Sequence, residues 1–147
     1  MEKIIVYTDG GSRGNPGPSA IGVLILNDKN EIIKKYSQYL GDNFTNNEAE
    51  YQAVIVALKK IKALFGKNKI KNLDIELRAD SELLVSQLNG EYKILDSKIQ
   101  PLFLSVWNLK IDFKKIKFIF VGREKNTGAH NLAEEALNEK LYSQKLF

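Results

Sequence analysis

Apolar residues recur along this chain in two rhythms. Between residues 72 and 79 they alternate, with Leu73, Ile75, Leu77 and Ala79 set against Asp74, Glu76 and Arg78, the period of a half-buried strand. Between 45 and 65 they return every three or four positions through Val54, Ala57, Leu58, Ile61 and Phe65, the stripe of an amphipathic helix capped by Thr45 or Asn46. The run Ile4-Ile5-Val6-Tyr7 predicts a buried strand over 3–9, followed by a Gly/Pro/Asn turn from Gly10 to Pro18. Residues 20–27 and 31–40 predict two strands joined as a hairpin at Asn27-Asp28-Lys29-Asn30. Ser81 to Leu88 predicts a short helix that Asn89-Gly90 stops. Residues 97–110 predict another, with Pro101 in its first turn and Trp107 in the core or at its edge. A strand over 115–121 and a helix from Asn126 to about Tyr142 complete the chain. The order β-β-β-α-β-α-α-β-α, an antiparallel start followed by αβ units, predicts an α/β fold: a five-stranded mixed sheet with helices on both faces.

At 147 residues, without repeats or a linker, residues 1–147 read as one domain. The absence of cysteine excludes disulfides and thiolate zinc sites. The longest apolar run, Ala53 to Leu58, is far below the roughly 18 residues of a membrane span, and Met1-Glu2-Lys3 leads into a strand without a signal-peptide core. A cytoplasmic monomer with no membrane association is expected. The formal net charge of +4 suits a polyanionic partner, although lysine-rich solvated surfaces are common without one.

Three acids stand out. Glu50 falls on the apolar stripe of the long helix, whereas Glu48 falls on another face. A carboxylate on a buried face is costly unless it is paired or binds a metal. The favourable dipole end of the helix is the alternative reason for an acid there. Asp9 ends an apolar strand, and Asp80 ends a strand and opens a helix; each alone suits a cap or turn. Acids at strand ends and a helix start can also converge at one sheet edge. They would then form a hard-oxygen site for Mg²⁺ or Mn²⁺, and two such ions about 3.5–4 Å apart suit phosphodiester hydrolysis.

The stretches YTDGGSRGNPGP (7–18), TNNEAEYQAVIVAL (45–58) and ADSELLVSQLNGEYK (79–93) resemble the signature of type 1 ribonuclease H, in the family's order and spacing. A fourth, REKNTGAHNLAEEA (123–136), is similar in all but one important place, and the likeness runs from about residue 3 to 140. The resemblance implies a ribonuclease H-like fold and hydrolysis of the RNA strand of RNA–DNA hybrids by two Mg²⁺ or Mn²⁺ ions, leaving 5′-phosphate and 3′-hydroxyl ends. It implies Asp9, Glu50 and Asp80 as catalytic metal ligands. The family's fourth aspartate is replaced by His130, within Ala129-His130-Asn131-Leu132-Ala133. A neutral imidazole can ligate a metal or hydrogen-bond to a water held by one. A surface histidine at a site that has lost a ligand is the alternative. Asn131 is a lesser candidate for that place.

The resemblance further implies that Ser12, Asn15, Asn46 and Asn47, with Glu82 or its backbone, read 2′-hydroxyls, the groups that distinguish RNA from DNA. It places Thr45 at a DNA-strand phosphate and Arg123 near the metals. Some members carry a basic helix-and-loop insertion after the third motif. Here Gly90-Glu91-Tyr92-Lys93 leads almost directly into the next helix, so the insertion is expected to be absent, as is a separate hybrid-binding domain ahead of residue 1. Lys93, Lys98, Lys110, Lys114 and Lys115 are the cations then left for phosphate contact. Two rivals stand beside this reading: a hybrid-binding protein disabled by the loss of the fourth acid, and a nuclease of the same fold acting on DNA. The TNN and GNPG stretches count against the second.

Overall fold

The computed structural model describes residues 1–146. Three antiparallel strands open the chain: β1 (Glu2–Ser12), β2 (Gly17–Asn27) and β3 (Ile32–Phe44). Helix α1 (Asn46–Phe65) follows, then β4 (Leu73–Ala79), α2 (Glu82–Leu88), α3 (Gln100–Lys110), β5 (Lys115–Phe120) and α4 (Thr127–Leu146). Short 3₁₀ turns at Lys69–Asn72 and Arg123–Lys125 precede β4 and α4. The sheet order is β3-β2-β1-β4-β5, with β1, β4 and β5 parallel and the first two pairings antiparallel. This is the expected five-stranded mixed sheet.

Alternation along β2 explains the two helical layers. Ile21, Val23 and Ile25 join the main core with Tyr51, Val54, Leu58 and Ile61 of α1. Ala20, one position before them and so on the other face, packs with Ala136 and Leu137 of α4. The α1 stripe seen in the sequence is therefore the buried one. Thr45 caps that helix: its hydroxyl accepts from the Glu48 amide at 3.1 Å, and the Glu48 carboxylate accepts from the Thr45 amide at 3.0 Å, a capping box.

Several boundaries differ from the expectation. The strands β1 and β2 extend into the turn between them. Strand β3 runs on to Phe44, because irregular pairing at Gly17, Ser19 and Ala20 carries the ladder past the polar stretch. Helix α3 begins at Gln100, after a turn in which Asp96 accepts from the amides of Lys98, Ile99 and Gln100. Trp107 is not core: it is 48 % exposed, and Val106 is the one fully buried residue of α3. No helix among the described residues is long and apolar enough to cross a membrane.

Candidate active site

Parallel pairing aligns Thr8 with Ala79 and stops there, so the next residues, Asp9 and Asp80, emerge side by side: Asp80 just past the end of β4, and Asp9 within β1, which runs three residues beyond it rather than ending at it. Glu50 reaches them from α1 because Gly10 lets the helix backbone close on the strand: a Cβ at Gly10 would stand 2.2 Å from the Ala49 carbonyl oxygen. The Gly10 amide donates to Glu50 Oε1 at 2.5 Å. One ligand oxygen from each of Asp9, Glu50 and Asp80 lies within 4.8 Å of the others.

Gly22 performs the same service for α4. It pairs with Asp9 across the antiparallel ladder, and a Cβ there would meet the Ala129 carbonyl oxygen at 2.0 Å. The helix thus settles directly beside Asp9. Asn126 fastens its start, donating to the Thr8 carbonyl at 2.9 Å. His130, on the first turn, places Nδ1 3.0 Å from Asp9 Oδ2. The three-acid group itself does not include it.

Electrostatics mark the cluster as incomplete by itself. Burial pushes the Glu50 carboxyl well above the usual carboxylate range, and the charge of Asp9 adds to this. Asp9 is raised too, first by burial and then by Asp80, with the bond to His130 acting against them. Asp80 Oδ2 is buried without a hydrogen-bond partner. Arg123 Nε stands 3.6 Å from it, beyond hydrogen-bond distance, on a side chain that is mostly exposed. Crowded carboxylates, one with an orphaned oxygen, fit a hard divalent cation.

The cluster opens into a cleft of about 470 Å³ that Ser12, Asn46, Asn47, Arg123 and His130 also line. Asn15 joins through Asn46, whose amide donates to Asn15 Oδ1 at 2.9 Å, while Asn46 Oδ1 accepts from the Ser12 amide at 2.8 Å. The Ser12 hydroxyl is occupied by the carbonyls of Phe44, at 2.9 Å, and Gly14. Thr45 and Glu82 are not brought to the cleft wall; Ser81 is. Sequence reasoning missed Ser81, Asn126 and Gly22. Gly22 left a signal, an isolated glycine inside the apolar run Ala20–Ile25, which marks a close backbone approach. Of the lysines named for phosphate contact, Lys110, Lys114 and Lys115 lie where β5 begins, the end of the sheet opposite the acids.

Sheet order and acid placement define a ribonuclease H-like domain. A family model described as reverse transcriptase-like matches residues 7–136. LC11-RNase H1, isolated from compost by a metagenomic approach, is 40 % identical, with a TM-score of 0.90 over 96 % of this chain and 99 % of that one. It has also been crystallised in complex with an RNA/DNA hybrid. RNase H1 from Halobacterium salinarum is 36 % identical with a TM-score of 0.85, covering 93 % and 98 % of the two chains. The N-terminal RNase H domain of Rv2228c from Mycobacterium tuberculosis is 30 % identical with a TM-score of 0.87, covering 98 % and 99 %. The chain belongs to the ribonuclease H1 family. It spans 36 % of the full-length bifunctional protein Rv2228c and 65 % of the full-length Halobacterium ribonuclease HI.

Proposed function

We propose that this chain is an endonuclease that hydrolyses the RNA strand of RNA–DNA hybrids, leaving 5′-phosphate and 3′-hydroxyl ends. The observation that carries this reading is the three-carboxylate cluster at the mouth of a polar cleft, in which Asp80 Oδ2 is buried and unsatisfied. Asp9, Glu50 and Asp80 would hold Mg²⁺ or Mn²⁺, and the bound ions supply activation of water and stabilisation of the departing 3′-oxygen. His130 takes the place of a fourth acid. Through Asp9 it orients one carboxylate, and its ring is near enough to join a ligand set or hold a water. The hybrid complex of LC11-RNase H1 supports the choice of substrate.

Asn46 and Asn47 face the cleft, where an amide both donates to and accepts from a 2′-hydroxyl. Ser12 and Asn15 shape the turn that holds Asn46 in place. Thr45 and Glu82 act at the cleft's margin, on the DNA phosphate and the RNA strand respectively. Arg123, exposed beside Asp80, is placed to meet a phosphate or release product. Residues 89–99 join α2 to α3 without a further helix, which supports a form lacking the basic insertion. The chain acts as a single domain and a monomer in the cytoplasm.

The test is a hybrid with labels on both strands, incubated with Mg²⁺ or Mn²⁺, and its products typed at their ends. RNA fragments bearing 5′-phosphates beside an intact DNA strand are expected. Tight binding of the hybrid with neither metal giving fragments would instead make the chain a hybrid-binding protein.

A further inference from the structure

A row of side chains leaves the active site along α4. His130, Glu134, Asn138 and Tyr142 follow one another at intervals of four residues, so they form one ridge that winds slowly round the helix. The first two line the active-site cleft, while Asn138 and Tyr142 line an adjoining cleft of about 420 Å³. Arg13 is the residue that both clefts share. The rise along α4 from His130 to Tyr142 is roughly 18 Å, so the second cleft lies well outside the acid cluster.

The second cleft has a different chemistry from the first. It is lined by Arg13, Asn138, Leu141, Tyr142, Gln144 and Lys145, without a carboxylate among the described residues. Glu134, on the border, accepts from Arg13 Nη2 at 3.0 Å, and Asn138 Oδ1 accepts from the same nitrogen at 2.5 Å. Both bonds use one nitrogen, so the guanidinium keeps the donors on Nε and Nη1 for a further acceptor. Leu141 gives an apolar floor, packed against Ala20, Ala136 and Leu137. Tyr142 is 66 % exposed, and its ring has no aromatic or cationic partner among the described residues. A bare ring serves a base by stacking, amides serve the base edge, and cations serve a phosphate. The volume falls within the roughly 300–1,000 Å³ of small-ligand sites.

We propose that this second cleft holds an unpaired nucleotide of the RNA strand, where that strand runs out of the hybrid. Its base stacks on Tyr142, Asn138 and Gln144 meet the base edge, and its phosphate lies between Arg13 and Lys145. The RNA strand is the one that reaches it by continuity. Arg13 sits between Ser12 and Asn15, in the turn that holds Asn46 against that strand. The proposal rests on the hybrid-cleaving reading of the active site and adds to it a preference for hybrids with a single-stranded RNA tail.

The test is hybrid affinity of the full chain by fluorescence anisotropy, in chelator so that nothing is cut. A blunt hybrid is compared with hybrids bearing about six unpaired uridines at the 5′ or the 3′ end of the RNA, and with thymidine tails on the DNA strand. One polarity of RNA tail should bind about fivefold or more tightly than the blunt hybrid, the low end of what stacking on an aromatic ring contributes. Tyr142→Ala should abolish that gain and Lys145→Glu should reduce it, and both variants should melt as the parent does. The gain is the ratio of tailed to blunt affinity within each variant, so a general loss of hybrid binding cancels. A 2-aminopurine placed in the tail should be quenched by the parent and not by Tyr142→Ala. No gain with either RNA tail, an equal gain with both polarities or with the DNA tails, or a gain that survives Tyr142→Ala would overturn the proposal. If the blunt hybrid is still bound and cut, that failure leaves the reading of the active site standing; a blunt hybrid neither bound nor cut would overturn both.

Discussion

Glu48 and Glu50 lie two residues apart on α1, yet Glu48 closes a capping box while Glu50 joins the buried acids. Glutamine preserves the cap acceptor, so Glu48→Gln should leave cleavage and melting close to the parent's. Glu50→Gln should lower cleavage about a hundredfold or more, because a charged ligand weighs at least as much as the outer partners that orient one. The same change should raise the melting temperature in metal-free buffer at neutral pH. The Glu50 pKa is higher in the folded chain than in the unfolded one, so its contribution to stability is fully present at low pH. It is lost as pH rises through the folded value. The variant lacks that loss, and the difference should vanish under acid conditions in a pair of thermal melts at pH 4 and pH 7. His130 carries its own prediction. Three carboxylates hold a second ion more weakly than four, and Mn²⁺ accepts a ring nitrogen better than Mg²⁺. In metal titrations on one hybrid, His130→Asp should raise Mg²⁺-dependent activity more than Mn²⁺-dependent activity, and His130→Ala should impair both. An alanine variant equal to the parent would make the ring a bystander. At this scale the sequence is informative where a residue breaks its surroundings, as Glu50 does on an apolar stripe. It is uninformative for Trp107, because the apolar residues of α3 spread beyond its buried face, with Val106 inward and Leu104 and Trp107 outward. Ser105 and Asn108 mark one exposed side, but the pattern does not separate Trp107 from the buried one.

The elements owe their meeting to two glycines. Gly10 admits α1 to β1, and Gly22 admits α4 to β2 beside Asp9. Gly22→Ala would drive a methyl into the Ala129 carbonyl, and overpacking of this kind costs about 1–3 kcal/mol. The strain falls on the turn bearing His130, so cleavage should drop further than a stability-matched substitution elsewhere would cause. A denaturation curve and a rate measured together check this; equal activity in the folded fraction would contradict it. Strands, helices and the cap of α1 were readable from periodicity. The strand order and the extension of β3 to Phe44 were not, because both depend on pairing between distant segments and on bulges at Gly17, Ser19 and Ala20. The approach of α4 was half-readable: Gly22 announces a close contact without naming the partner.

For the whole molecule, the formal excess of +4 says nothing about where the charge sits. Among the cleft-lining residues the fixed cations are Arg13 and Arg123. Arg13 is already bonded to Glu134 at 3.0 Å, and Lys110, Lys114 and Lys115 lie at the far end of the sheet. Few phosphates can therefore be neutralised, and the logarithm of hybrid affinity should fall with the logarithm of salt with a slope of about −2 or shallower. Fluorescence anisotropy in chelator measures it, and a slope several-fold steeper would show that the distal lysines contact the hybrid. The proposed activity rests on three crowded carboxylates serving a substrate that presents 2′-hydroxyls beside a DNA strand. It is tested most directly by one side-by-side assay of a labelled RNA–DNA hybrid, the matched DNA duplex and the matched RNA duplex, each with Mg²⁺ and with Mn²⁺. Metal-dependent cutting of the hybrid's RNA strand, with the DNA duplex untouched, is the predicted result. A hybrid left whole by folded protein with both metals, or a DNA duplex cut as readily, would contradict it.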